Sequence, residues 1–225
     1  MKSASIIVPI WGAPELTDAC LRALEETTED YELILIDNTG IYEPQSFYTT
    51  IIHNAENVGY ARANNDGVAI ATSPICVLLN CDTETQEEWL PPLLSAFDDE
   101  SVHITGPRII HMDGTLQTSG CRTWHGNGSA GGEELKDDGP TRDVDAVTGA
   151  VMAIRRETYH ALGGMNELFR AGYEDIFICL CAREANMTIR YVAESLVKHH
   201  ESATPGRWTH AAANVQLMNE LWGNR

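Results

Sequence analysis

The first hundred residues alternate between short, almost wholly apolar runs and longer stretches with apolar residues at every third or fourth position. Ser5–Ile10, Tyr31–Asp37 and Ile75–Leu79 are apolar runs of strand length, and Thr50–His53 is a shorter one. Between them, Pro14–Glu25 places Leu16, Ala19, Cys20, Ala23 and Leu24 on one helical face, and Pro14 and Glu15 suit a first turn. Gly59–Ala71 is alanine-rich and reads as a second helix. Gln86–Phe97 reads as a third, with Trp89, Leu90, Leu93, Leu94 and Phe97 in phase. Fully apolar strands alternating with helices predict an α/β chain: a Rossmann-like, mostly parallel sheet covered on both faces. Ligands bind such sheets beyond the carboxyl ends of the strands. Two strands end there in polar groups, Asp37-Asn38 and Asn80-Cys81-Asp82, which puts two carboxylates on one rim.

The second half has a different rhythm. Val102–Ile110 reads as a strand and His111–Thr115 as a hairpin turn. Residues 126–143 are rich in Gly, Asp and Glu and read as a long surface loop. Val147–Ile154 returns to strand, interrupted by Gly149, a sign that a ligand or another backbone comes close. Glu157–Leu162 is a short helix stopped by Gly163-Gly164. Glu174–Asn186 is a longer one, with Phe177, Leu180 and Cys181 expected inward. Thr188–Val192 is a last strand, the pair His199-His200 follows, and Thr209–Trp222 forms a terminal helix. There is no internal repeat.

Charge narrows the partners. The formal net charge is −18. A field of that sign repels phosphate backbones and anionic lipid, so long nucleic acid is disfavoured. A small nucleotide still binds if a divalent cation bridges it to carboxylates. The six cysteines contain no CxxC pair, Cys76 sits inside an apolar run and Cys20 on an apolar helix face, which predicts reduced thiols rather than a disulfide framework or structural zinc. No run reaches the roughly 18 apolar residues of a membrane span. The N-terminus reads as a strand and a helix start rather than a signal peptide. A cytoplasmic protein is expected.

Several residues have the chemistry of a site, each with a plainer reading beside it. Asp82, just past a buried strand, suits Mg²⁺ or Mn²⁺, which take oxygen ligands and share them with substrate phosphates; it also suits a turn or helix cap. Glu174-Asp175 follows Arg170-Ala171-Gly172-Tyr173 at a helix start, a way to present a general base, although carboxylates are favoured there anyway. Of His199 and His200, whose side chains diverge in an extended segment, one at most is expected as a metal ligand. Asp37 suits a base or ribose contact or a turn, and Trp11 a stacking platform or core packing.

In order along the chain stand Val8-Pro9-Ile10-Trp11, LILIDNTG (33–40), NVGYARANNDGVAIA (57–71), VLLNCDTE (77–84), VTGAVMAIRRE (147–157), GGMNELFRAGYEDIFICLCAREAN (163–186) and the His199 segment. This series, over nearly the whole chain, resembles glycosyltransferase family 2 and looks closest to its rhamnosyltransferase-like branch. The resemblance implies a GT-A fold in a single domain, 1–225, with residues 1–100 binding a nucleotide-diphosphate sugar and 101–225 forming the acceptor-side, catalytic half with a smaller mixed sheet. It implies an inverting, metal-dependent transfer to a hydroxyl-bearing acceptor, a glycan foremost. Carried over by position, Asp37 holds the nucleobase with Pro9 and Trp11. Asn57, Gly59 and Asn64, with Arg62 nearby, close over the nucleotide. Asn80 and Asp82 match the ends of the family's Asp-x-Asp motif, Asp82 taking Mn²⁺ or Mg²⁺ and Asn80 lying near the ribose or donor sugar. Asp175 matches the catalytic base, with Glu174 orienting the acceptor, and His199 matches the histidine that completes the metal site. Gly149 and Ala150 match a turn at the sugar–acceptor junction. Two departures stand out: Asn80 replaces the first Asp of the motif, and Cys81 stands where the branch often has Pro.

Two other readings compete. A sugar-phosphate nucleotidyltransferase calls for a Gly-rich, Arg-containing loop after the first strand, where this chain has Trp11-Gly12-Ala13-Pro14. A non-catalytic nucleotide-sugar-binding relative has no need of Asp82, Asp175 and His199 together.

Overall fold

The computed structural model describes residues 2–44, 50–201 and 207–225. The first half follows the apolar pattern closely: β1 (Ala4–Ile10), α1 (Pro14–Thr27), β2 (Tyr31–Asp37), β3 (Thr50–His53), α2 (Tyr60–Ile70) and β4 (Ile75–Leu79). Next come β5 (Thr83–Thr85), α3 (Leu90–Ser95) running into a 3-10 turn at Ala96–Asp98, β6 (Val102–His111), β7 (Leu116–Thr118), β8 (Cys121–Gly126), β9 (Ser129–Glu134) and β10 (Arg142–Asp143). The chain ends with β11 (Val151–Arg155), α4 (Arg156–Ala161), α5 (Glu174–Glu184), β12 (Thr188–His199), a 3-10 turn at Arg207–His210 and α6 (Ala211–Trp222).

Ten strands form one mixed sheet in the order β10-β12-β6-β11-β4-β1-β2-β3, with β5 paired to β12 and β7 to β6. Along this path β12, β6, β4, β1, β2 and β3 point one way, and β10 and β11 run against them. The antiparallel β11 joins the parallel strands of the first half to β6 and β12 of the second. Alternate residues of β1 feed two cores. Ile7 belongs to the core that also holds Val68 of α2 and Ile178 and Leu180 of α5, while Ile6 and Val8 belong to the core that holds Leu24 of α1, Trp89, and Leu93 of α3. Helix α2 lies so close to the sheet that a Cβ at Gly67 would stand 2.4 Å from Cγ2 of Ile7.

The structure corrects several readings. The buried face of α1 is Thr17, Cys20, Leu21 and Leu24, rotated from the expected stripe; Leu16, Ala19 and Ala23 lie only half-buried at its edge. Helix α3 starts at Leu90 rather than Gln86, because Pro91 and Pro92 suit only a first turn. The face of α5 that is most deeply buried is Ile176, Ile178, Cys179, Leu180 and Ala182. Phe177 and Cys181 are only partly covered, and Phe177 meets the Trp222 ring of α6 edge-on at 5.6 Å. The expected loop 126–143 holds most of the separate β8–β9 hairpin and β10. Its glycines permit close packing: a Cβ at Gly132 would stand 2.8 Å from Cδ1 of Ile176, and the Ala130 N–H donates to Asn219 Oδ1 of α6 at 2.9 Å. Strand β11 begins at Val151, leaving Val147–Ala150 irregular, and β12 extends to His199 past a register shift between Val192 and Leu196. All six cysteines are free, and burial pushes the Cys20 thiol up to about 12. Among the described residues no helix is long and apolar enough to cross a membrane.

Candidate active site

Strands β1 and β2 run in register, Ile10 opposite Asp37, so both end on one rim. The Asn38 N–H continues the ladder to Ile10 O at 3.0 Å, and the Asn80 N–H bonds Ala150 O at 2.9 Å. A cavity of about 420 Å³ opens at this edge. Pro9, Trp11 and Asn38 line one end; Asn57, Gly59 and Tyr60 lead into α2. Asn80, Cys81 and Asp82 follow β4, Thr148–Ala150 precede β11, and Glu174, Asp175 and His199 complete the wall. Eleven of the fourteen residues singled out from the sequence therefore meet in one cavity drawn from both halves of the chain.

Asp82 and His199 meet through pairing at the sheet edge. β5 runs antiparallel to the end of β12, with Thr83 opposite His199, and the His200 N–H donates to Asp82 O at 3.0 Å. Both side chains are buried, and His199 Nε2 stands 3.2 Å from Asp82 Oδ1. The contact lacks hydrogen-bond geometry, and Nε2 has no hydrogen-bond partner among the described residues. A buried imidazole nitrogen without such a partner beside a carboxylate is the donor set a divalent cation takes, so these residues fit a metal. No cluster of three or more His, Cys, Asp or Glu suited to a metal occurs among the described residues, so a cation here would draw its other ligands from elsewhere. His200 faces away, with Nε2 3.2 Å from Glu84 Oε1, as the opposed directions of successive strand side chains require.

Asp175 sits in the first turn of α5, entered through Tyr173 in the left-handed region at φ 74°. Its Oδ2 accepts the Gly149 N–H at 2.8 Å and its Oδ1 accepts the Ile176 N–H at 2.8 Å. Each oxygen keeps a further lone pair. Gly149 leaves little room for a side chain: a Cβ there would stand 3.2 Å from Asp175 Cβ and 3.3 Å from Tyr60 Oη. The Tyr60 hydroxyl donates to Gly149 O at 2.5 Å, and burial, then Glu174 and Asp175, push its pKa well up. Glu174 is buried, and its Oε2 accepts the Gly172 N–H at 2.7 Å.

Three expected residues do not line the cavity. Asp37 is fully buried, and its carboxylate closes its own turn. It accepts from Thr39 N at 2.8 Å, Thr39 Oγ1 at 2.6 Å and Tyr42 N at 2.9 Å, and lies 2.9 Å from His53 Nδ1. Burial pushes its carboxyl up, but these hydrogen bonds outweigh it and hold the pKa below the ordinary value. Asn38 takes its place on the wall. Arg62 points to solvent and pairs with Asp66 at 2.8 Å and Glu167 at 3.7 Å. Asn64 is buried inside α2, its Nδ2 donating to Tyr60 O at 3.0 Å. Conversely, Tyr60, Gln117, Thr148 and Glu134 line the cavity without having been singled out, and Asn38 and Arg170 line it although they were named only as neighbours of Asp37 and Glu174. Glu134 has no local signal, lying in a glycine-rich stretch, while Tyr60 and Thr148 stand within segments 57–71 and 147–157.

The chain has a GT-A fold, shown by its likeness to solved structures. Two solved glycosyltransferases share it. One is GalNAc-T7 with UDP, GalNAc and Mn²⁺, at TM-score 0.69 and 17% identity, covering 88% of this chain and 44% of that one. The other is a mannosyltransferase of Pyrobaculum calidifontis with GDP-Man and Mn²⁺, at TM-score 0.65 and 15% identity, covering 97% and 63%. The chain belongs to glycosyltransferase family 2, whose family model matches residues 5–163. It is 28% identical to the pre-mycofactocin glycosyltransferase of Mycobacterium tuberculosis, over 92% of this chain and 44% of that protein. It is 26% identical to an O-antigen biosynthesis protein of Myxococcus xanthus, over 89% and 17%. The chain thus spans less than half the length of these curated relatives.

Proposed function

We propose that this chain transfers a sugar from a nucleotide-diphosphate donor to an acceptor hydroxyl, a glycan foremost, in one displacement that inverts the anomeric centre. The observation that carries this reading is a single cavity at the carboxyl ends of the strands, shared by the Asp82–His199 pair and the Asp175 carboxylate. Family membership and the structural neighbours, solved with UDP or GDP-Man and with Mn²⁺, support it.

In this reading Pro9, Trp11 and Asn38 receive the nucleobase, Asn57 and Gly59 flank the nucleotide, and Asn80 faces the ribose or donor sugar. Asp82 and His199 hold Mn²⁺ or Mg²⁺. When bound, such a cation neutralises charge on the departing diphosphate. Asp175, aimed by the Gly149 and Ile176 N–H groups, removes the acceptor hydroxyl proton as that oxygen bonds the anomeric carbon. The bond from that carbon to the diphosphate oxygen breaks on the opposite face, and the nucleoside diphosphate leaves. Glu174, tied to Gly172, shapes the acceptor side, and Gly149-Ala150 lies at the junction.

The test is incubation with UDP-, GDP- and dTDP-sugars and Mn²⁺. Released nucleoside diphosphate and the anomeric configuration of the product are read by NMR. Release with inversion, abolished by EDTA and restored by Mn²⁺ or Mg²⁺, is expected. Retention of configuration overturns the single displacement, and undiminished turnover in EDTA overturns the metal. Binding of a donor without turnover of any sugar or acceptor favours a non-catalytic binder.

A further inference from the structure

Strand β7 meets β6 with an irregularity: Leu116 pairs with Ile110 and Thr118 with Ile109, so Gln117 is the extra, unpaired residue. A bulge of this kind re-aims a side chain. The Gln117 side chain is buried on the cavity wall between two others. Its Oε1 lies 3.0 Å from His199 Nδ1, and its Nε2 lies 3.4 Å from Glu134 Oε1 at the end of β9. An ionised carboxylate only accepts, so Glu134 takes the amide N–H of Gln117 and leaves the amide oxygen toward His199. An oxygen there calls for a proton on Nδ1. A neutral imidazole protonated at Nδ1 has its lone pair on Nε2. This agrees with the buried Nε2 that makes no hydrogen bond.

We propose that Gln117, oriented by Glu134, is a positioning residue that holds His199 in the Nδ1–H form, so that Nε2 faces Asp82 as a lone-pair donor for the cation. The metal role rests on the function proposed above; the tautomer does not. The bulge, the hairpin end and the strand end thus meet as one device. The competing arrangement is the reverse, with Nε2–H directed at Asp82 and Nδ1 accepting from a flipped Gln117 amide.

The experiment is long-range ¹H–¹⁵N NMR of the full chain carrying ¹⁵N-histidine, metal-free, at mildly alkaline pH. Protonated Nδ1 and unprotonated Nε2 on His199 are expected. Gln117→Leu removes the acceptor and shifts the ring toward Nε2–H. The exchanged pair Gln117→Glu with Glu134→Gln rebuilds the same chain of donors and acceptors and restores Nδ1–H, which a packing role alone would not do. Nε2–H in the wild type, or an unchanged tautomer in Gln117→Leu, overturns the proposal. A titration with Mn²⁺ alone then reads the metal role through paramagnetic broadening of the His199 ring signals. Gln117→Leu is expected to need about 10- to 100-fold more Mn²⁺. A wild-type His199 that keeps the Nδ1–H form but is untouched by Mn²⁺ overturns the metal reading and leaves the tautomer assignment supported.

Discussion

At the scale of single residues, Asp175 and Gly149 form one unit. The carboxylate is aimed by two N–H groups, and one of them belongs to a residue with no side chain to obstruct it. Asp175→Asn keeps an acceptor oxygen but loses basicity. Turnover is expected to fall by about 10²- to 10⁴-fold, with nucleotide-sugar affinity, measured by calorimetry, unchanged. Loss of donor affinity with the fold intact counts against a base. Gly149→Ala forces Asp175 or Tyr60 to give by a few tenths of an ångström, from contacts of 3.2 and 3.3 Å. A 1 Å misplacement costs about 10²-fold, so about a tenfold drop in kcat is expected, with little change in donor Kd. Locally, neither Asp82 nor Asp175 is distinguishable from a turn or first-turn acid. Asp37 is a carboxylate at the same rim whose oxygens accept hydrogen bonds from its own turn.

At the scale of elements, the first half was legible because its strands are buried on both faces and its helices on one. The period of the pattern is then the geometry. The helix phase of α1 was less legible, since Thr17 is buried although it is polar, and an apolar stripe does not count it. The β8–β9 hairpin was missed because glycine signals looseness when it follows no period. Here its smallness lets backbone lie against Ile176. The same closeness at α2 gives a prediction: Gly67→Ala drives a methyl into Ile7 and is expected to lower stability by about 1–3 kcal/mol in denaturant unfolding. An unchanged midpoint contradicts the tight seating of α2 on β1.

At the scale of the whole molecule, one buried acid and two partly buried ones set the response to pH. Asp37 and Glu32 are both held below their ordinary values, hydrogen bonds outweighing burial. Their contribution is present above about pH 4 and is lost as pH falls through the lowered values. Glu134 has the opposite sign: burial raises its pKa, so acidifying from neutrality first relieves its cost. Denaturation midpoints measured over a pH series are therefore expected to hold or rise slightly on mild acidification and then fall steeply below about pH 4. Asp37→Asn should weaken that fall, and should cost about 1–3 kcal/mol at neutral pH through donors left poorly matched.

The sequence by itself determined the α/β class, the rim where polar groups end apolar strands, and the family, because periodicity and motif order are properties of the linear chain. Which rim residues share a cavity was decided only in three dimensions. β5 pairs with the far end of β12, bringing Asp82 to His199, and the irregular residues before β11 carry Gly149 to Asp175. A bulge in β7 turns Gln117 to the same histidine, and the glycine-rich hairpin brings Glu134 behind it. Each contact joins segments far apart in the chain through strand register and close backbone approach, and neither leaves a period in the sequence to be read.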